Sequence, residues 1–232
     1  MQGRLVLFDI DGTLIDTRGA GLRAIRQAVH DLHDVVVGEL DLCGATDAGL
    51  VRGILSSFDL EVSEESTAAI YEAYLVRLAE QLNHRDFGGV VLPAVPELLE
   101  ALQEAGAVLG LLTGNVEAGA LLKLQCFGLD QHFDFGAFGN DDPDRNKLGP
   151  LALRRAMQLH GKTFISATTV IVGDTPKDIA CGKALGSQTL AVATGRFSVD
   201  QLRAHGPTMV VDCFETPLKI LSQLKGDPDK GS

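Results

Sequence analysis

The stretch that decides the fold is RLVLFDIDGTLID, residues 4–16. It begins as an apolar strand over 4–8, then sets Asp9 and Asp11 two residues apart, with Gly12 and Thr13 directly after. Side chains two apart in an extended segment lean to the same side. Two neighbouring carboxylates repel, which raises one of their pKa values unless a cation intervenes. A hard divalent ion with oxygen ligands, such as Mg2+, answers that need. Gly12 permits a backbone turn that a side chain would hinder. Thr13 adds a hydroxyl and a main-chain N–H at the same point. Taken alone, the pattern also suits a helix or turn cap, so other parts of the chain must decide.

Downstream the character changes. RGAGLRAIRQAVHDL (18–32), TDAGLVRGILSSF (46–58) and SEESTAAIYEAYLVRLAEQL (63–82) carry apolar residues at helical spacing. Ser63 and Ser66, with acidic residues between them, mark a helix start. Gly88, Gly89 and Pro93 then mark a boundary. Beyond it, helices expected over 95–106, 117–128, 149–161, 176–186, 198–206 and 216–225 alternate with strands over 107–112, 133–138, 168–173, 188–193 and 208–212. Such alternation argues an α/β fold, a parallel sheet wound with helices on both faces. Residues 1–15 and 90–232 form the expected core, and 16–89 a helical insertion after the first strand. The polar tail GDPDKGS, 226–232, is expected to be disordered.

The whole composition narrows the possibilities. A chain of 232 residues, 45% hydrophobic, can build one large domain carrying a smaller one. Its net charge of −11 repels nucleic acid and anionic membranes. An anionic substrate would therefore have to meet local positive charge or a metal ion. No run of 18 apolar residues and no signal-peptide pattern occurs, so the expectation is a soluble cytoplasmic protein. Cys43, Cys126, Cys181 and Cys213 are far apart in sequence, which favours buried reduced thiols over disulfides. His30 and His33 lie three apart on an expected helix. With no third ligand nearby, an exposed helix face is the better reading than a metal pair.

Three more strand ends bear on the aspartates, since open parallel sheets bind ligands at the carboxyl ends of their strands. LLTGN ends a strand with Thr113, Gly114 and Asn115. A hydroxyl, a free backbone N–H and an amide can together hold a phosphoryl oxygen. VIVGDTPKD ends another with Asp174, able to join a metal shell, and Asp178 four residues on. Asp178 could equally favour the dipole of the helix it opens. DDPDRNKLGP places Arg145 and Lys147 just before a helix, where a cation could balance the aspartates and a bound phosphate. Singly, each of these also fits an ordinary loop; their convergence on one sheet edge favours a phosphate site.

DIDGT, LLTGN and GDTPKD resemble the first, second and fourth motifs of the haloacid dehalogenase superfamily. The resemblance runs from residue 4 to about 224 and implies a Rossmann-like core with a helical type 1 cap. For the third motif, Lys147 has the K-x-x-P spacing and Arg145 fits a D-R variant of phosphoglycolate-phosphatase-like members, with Arg145 slightly preferred. Dehalogenases and phosphonatases lack the second aspartate of the first motif; Asp11 therefore implies a phosphotransferase or phosphatase. The segment 44–55 also looks like a cap segment of the phosphoglycolate-phosphatase group. The resemblance implies a Mg2+-dependent phosphatase of small phosphomonoesters. Asp9 is then the nucleophile and Asp11 the acid and base. Asp9, the Asp11 main-chain carbonyl and Asp174 hold the metal, with Asp178 behind them. Gly12, Thr13, Thr113, Gly114, Asn115 and the third-motif cation hold the phosphoryl oxygens. Cap candidates for choosing the substrate are Thr17, Arg18, Thr46, Asp47 and Arg52, and Arg196 is placed at the entrance. A cationic arginine there could meet a substrate carboxylate, although Arg18 and Arg52 read better as ordinary surface residues. A phosphomutase of the β-phosphoglucomutase type, or a non-catalytic module, are the competing readings. Monomer and homodimer are both compatible with the sequence.

Overall fold

The computed structural model describes residues 3–38 and 45–224. The apolar start of the opening stretch becomes β1 (Leu5–Phe8), all four residues fully buried. It lies in the middle of a six-stranded sheet with β4 (Val108–Leu112), β5 (Gly136–Ala137), β6 (Thr169–Gly173), β7 (Gln188–Val192) and β8 (Met209–Val211). The strand order is β5-β4-β1-β6-β7-β8, with every pairing parallel. Parallel strands buried on both faces read as continuous apolar runs, as LVLF and TVIVG do.

The period of two along β1 divides the core. Val6 and Phe8 face one layer with Leu98, Leu99 and Leu102 of α4 (Val95–Glu104). Leu5 and Leu7 face the other with Leu148, Ala152 and Ala156 of α6 (Leu148–His160). Helices α5 (Glu117–Cys126), α7 (Pro176–Leu185), α8 (Val199–Ala204) and α9 (Pro217–Leu224) complete the winding.

Between β1 and α4 the chain leaves the sheet. A two-stranded antiparallel ribbon, β2 (Ile15–Asp16) against β3 (Val90–Val91), carries it out and back. Beyond the ribbon, α1 (Ala20–His33), α2 (Asp47–Ser57) and α3 (Glu64–Leu82) pack around their own apolar cluster, including Ile25, Ile54, Ile70 and Leu78. Ser63 and Ser66 form a reciprocal capping box at the start of α3.

Some expectations shift. The strand expected over 133–138 shrinks to Gly136–Ala137, because this edge segment pairs only with Leu111 and Leu112. The β2–β3 ribbon is too short to leave a periodic pattern. Among the cysteines, Cys181 is buried but Cys126 is exposed, because it falls on the outer side at the end of α5; Cys43 and the tail lie outside the described residues. His30 is exposed on α1, with His33 partly buried beside it. No helix among the described residues is long and apolar enough to cross a membrane.

Candidate active site

The carboxyl ends of β1, β4 and β6 converge under the helical insertion. They floor a cavity of about 530 Å³ whose roof comes from α1, α2 and α3. Asp9 and Asp174 are 6% and 5% exposed there. Gly12 turns the loop with φ 79°, and a Cβ at that position would lie 2.5 Å from the Asp174 carboxylate. Only glycine lets the loop press this closely on Asp174.

Arg145 is the cation of this floor. Its Nη2 lies 3.1 Å from Asp9 Oδ1 and 2.5 Å from Asp178 Oδ1, and it also donates to the Leu112 carbonyl. Both carboxylates beside it outweigh the cost of its burial, so its pKa is raised. Lys147 does not share the role: it is exposed and pairs with Asp142 on the surface. The two sit in a short 3-10 turn, Arg145–Lys147, which turns Arg145 inward. Of the two cations that the sequence offered, with Arg145 slightly preferred, Arg145 is the one that lies beside the aspartates.

Asp178 accepts hydrogen bonds from the Thr175 N–H and hydroxyl through Oδ2, closing the capping box of α7. Both its oxygens are engaged, so it steadies Arg145 and the β6–α7 turn. Asp9, Asp174 and Asp178 form a group of carboxylates within 4.8 Å of one another among the described residues. Burial, with Asp9 and Asp178 adding to it, pushes the Asp174 carboxyl up to about 8. Burial raises Asp9 to about 6 against the pull of Arg145. Three clustered carboxylates, two of them paired with the one guanidinium and the third, Asp174, met by the Thr13 hydroxyl at 3.3 Å, call for another cation. A hard, oxygen-seeking divalent ion such as Mg2+ fits that donor set.

Asp11 lives in a different network. Its Oδ2 accepts from Asn115 Nδ2 at 2.9 Å and from Lys123 Nζ at 2.6 Å, and its Oδ1 from Thr17 at 3.2 Å. Lys123 also donates to Asn115 Oδ1 at 2.6 Å, and Asn115 donates to the buried hydroxyl of Thr113 at 2.8 Å. Burial pushes the Asp11 carboxyl up, but Lys123, Asn115 and Thr17 together bring it below the usual range.

Sequence reasoning missed Lys123. It reads there as one polar residue inside the helix 117–128, yet it is only 3% exposed. The available signal was its position eight residues after Asn115, on the apolar side of a helix that starts at the TGN turn.

The insertion touches the floor directly. A Cβ on Gly114 would collide with the Ala45 carbonyl. The Asp47 N–H donates to the Gly114 carbonyl at 2.7 Å, and Asp47 Oδ2 accepts from the Val116 N–H at 2.8 Å. Asp47 lines the cavity, and burial raises its carboxyl to about 6 although Lys123 and Val116 oppose the shift. Thr46 instead caps α2 and donates to the Pro143 carbonyl. Arg18 is exposed and pairs with Asp16, and Arg52 is exposed; neither lines the cavity. Arg196, exposed, lies at its rim.

A wound parallel sheet with paired aspartates at the end of its first strand, roofed by an inserted helical unit, defines an α/β architecture with a covered carboxylate site. The chain belongs to the haloacid dehalogenase-like hydrolases, whose family model matches residues 6–192. It is 32% identical to the probable phosphatase IndB of Dickeya dadantii, over 90% of each chain. It is 26% identical to a phosphoglycolate phosphatase of Pseudomonas fluorescens, over 94% of this chain and 82% of the other. A crystal structure of a predicted phosphoglycolate phosphatase from Haemophilus somnus shares the fold, with TM-score 0.70, 21% identity and 95% and 99% of the two chains covered.

Proposed function

We propose that this chain is a Mg2+-dependent phosphatase of small phosphomonoesters that works through a phosphorylated Asp9. The observation that carries the reading is the division of labour between two aspartates two residues apart. Asp9 lies buried against Arg145 in the carboxylate cluster, and Asp11 is held apart by Lys123, Asn115 and Thr17. Membership of a hydrolase family and relatives named phosphatase support it.

Asp9 attacks phosphorus, forming an acyl phosphate while the ester P–O bond breaks. Arg145, Thr113 and the backbone at Gly114 and Asn115 hold the transferring oxygens. Asp11 protonates the departing oxygen, then takes a proton from the water that hydrolyses the acyl phosphate. The arriving phosphate dianion opposes the field of Lys123 and favours the protonated form of Asp11. Asp9, Asp174 and the Asp11 main-chain carbonyl are the groups that would hold Mg2+. When bound, the ion screens the nucleophile from the phosphoryl charge. The helical insertion acts as a cap that keeps bulk water from the acyl phosphate.

The test is inorganic phosphate release from a panel of phosphomonoesters with Mg2+, with EDTA, and with Asp9→Asn. Metal-dependent release that disappears in the variant is expected. Release that survives EDTA or the Asp9 substitution would overturn the reading.

A further inference from the structure

The phosphatase reading leaves the substrate open, and the upper half of the cavity constrains it. Its walls are Leu22 and Ile25 of α1, Leu50 of α2 and Tyr74 of α3. The basic residues lining the cavity are Lys123, Arg145 and Arg196. Arg145 is engaged by Asp9 and Asp178, and Lys123 by Asp11. Arg196 is exposed at the rim, where water screens its charge.

Of the acidic residues on the roof side, Asp16 is paired with Arg18. Asp47 has no ion pair among the described residues. Its Oδ2 accepts from Val116 N–H, and its Oδ1 has no hydrogen-bond donor among the described residues. Lys123 bonds Asp11 Oδ2 at 2.6 Å and lines the same cavity as Asp47, so one ammonium shares this chamber with two carboxylates. A leaving group bearing a carboxylate would add a third negative charge around that ammonium, in surroundings where charge is poorly screened. A neutral leaving group meets apolar walls, and a hydroxyl on it can donate to Asp47.

We propose that this chamber selects phosphomonoesters of uncharged alcohols and rejects those whose leaving group carries a carboxylate, with Asp47 as the discriminating residue. The inference rests on the phosphatase reading for the location of the phosphoryl group. It runs against the substrate named for the phosphoglycolate phosphatase relative, whose alcohol leaving group, glycolate, carries a carboxylate.

The matched probes are 2-hydroxyethyl phosphate and 2-phosphoglycolate, close in size and differing in the charge of the leaving group. Their binding to Asp9→Asn protein with Mg2+ is measured by calorimetry, so that the comparison does not depend on turnover. The hydroxyethyl ester is expected to bind at least about tenfold tighter. Adding Asp47→Asn, whose side-chain oxygen can still accept the Val116 N–H, should bring the two within about threefold, chiefly through tighter phosphoglycolate binding. Equal or tighter phosphoglycolate binding in the Asp9→Asn protein overturns the proposal, and so does a ratio that Asp47→Asn leaves unmoved. The comparison in the Asp9→Asn protein stands even where the double variant fails to fold. Phosphate release by the wild-type enzyme separates the two readings. Selective binding without release would sink the phosphatase and keep the chamber; release from both esters with equal efficiency would keep the phosphatase and sink the chamber.

Discussion

Lys123 Nζ lies 2.6 Å from Asp11 Oδ2, joining α5 to the loop after β1. The same ammonium bonds Asn115 at 2.6 Å, so one buried cation fixes the acid–base candidate and the amide at the end of β4. Lys123→Met should remove this anchor with little change of volume. The expected outcome is a fall in kcat of about 10- to 100-fold, with a smaller change in KM, read in steady-state kinetics. Lys123→Arg should not restore activity. The side chain is only 3% exposed and its Nζ bonds Asp11 and Asn115 at 2.6 Å each, a fit that a wider, planar guanidinium does not reproduce. Rescue by arginine would show that charge alone suffices.

Arg145 and Lys147 should differ sharply. Arg145 is buried between Asp9 and Asp178, so Arg145→Ala strands two buried carboxylates and should cost roughly 3–5 kcal/mol of stability. Arg145→Lys should keep the fold but lose most activity, because the shorter lysine cannot bring its ammonium to the point where Nη2 meets Asp9, Asp178 and the Leu112 carbonyl, and it has no counterpart of the Nη1 beside Gly114. Lys147→Ala, on an exposed side chain, should stay within about 0.5 kcal/mol of wild type with near-normal turnover. Denaturant unfolding and phosphate release check all three.

Metal binding should be linked to pH. Asp9 and Asp174 are raised from 3.8 to about 6 and about 8. Metal-free folded protein thus binds more protons than the unfolded chain between about pH 4 and 8, and its stability falls as pH rises through that window. Mg2+ competes with those protons, so its affinity rises over the same range. The thermal midpoint should therefore increase more on Mg2+ addition at pH 8 than at pH 6. Asp174→Asn should abolish the Mg2+ shift and raise the midpoint of the EDTA-treated protein. Equal Mg2+ shifts at both pH values would contradict the linkage.

Gly12→Ala tests the close approach of the loop to Asp174. The substitution demands a methyl group at φ 79°, 2.5 Å from the carboxylate. It should lower stability by about 1–2 kcal/mol and weaken Mg2+ binding at least tenfold, measured by titration followed with thermal shift.

The sheet was legible in the sequence because parallel strands buried on both faces leave unbroken apolar runs and their helices leave a clear period. The insertion showed itself as a block of helical spacing between β1 and α4. The ribbon β2–β3 did not, since two residues a side carry no period. Asp9, Asp11, the TGN turn and Asp174 stood out because each lies at a strand's end, where local order in sequence becomes position in space. Lys123 lies a helix turn and more from the strand end, so only the packing of α5 brings it to Asp11. Arg145 and Lys147 are two residues apart, and a short 3-10 turn decides which one faces inward.

The central claim is that Asp9 carries the phosphoryl group. The most direct measurement is rapid mixing with substrate and Mg2+, acid quench, borohydride reduction and mass spectrometry of the peptide spanning residues 4–16. An acyl phosphate on Asp9 would be reduced to homoserine at that position, in amounts that follow the steady-state turnover and vanish in EDTA. Phosphate release with Asp9 unmodified at every time point would contradict the account.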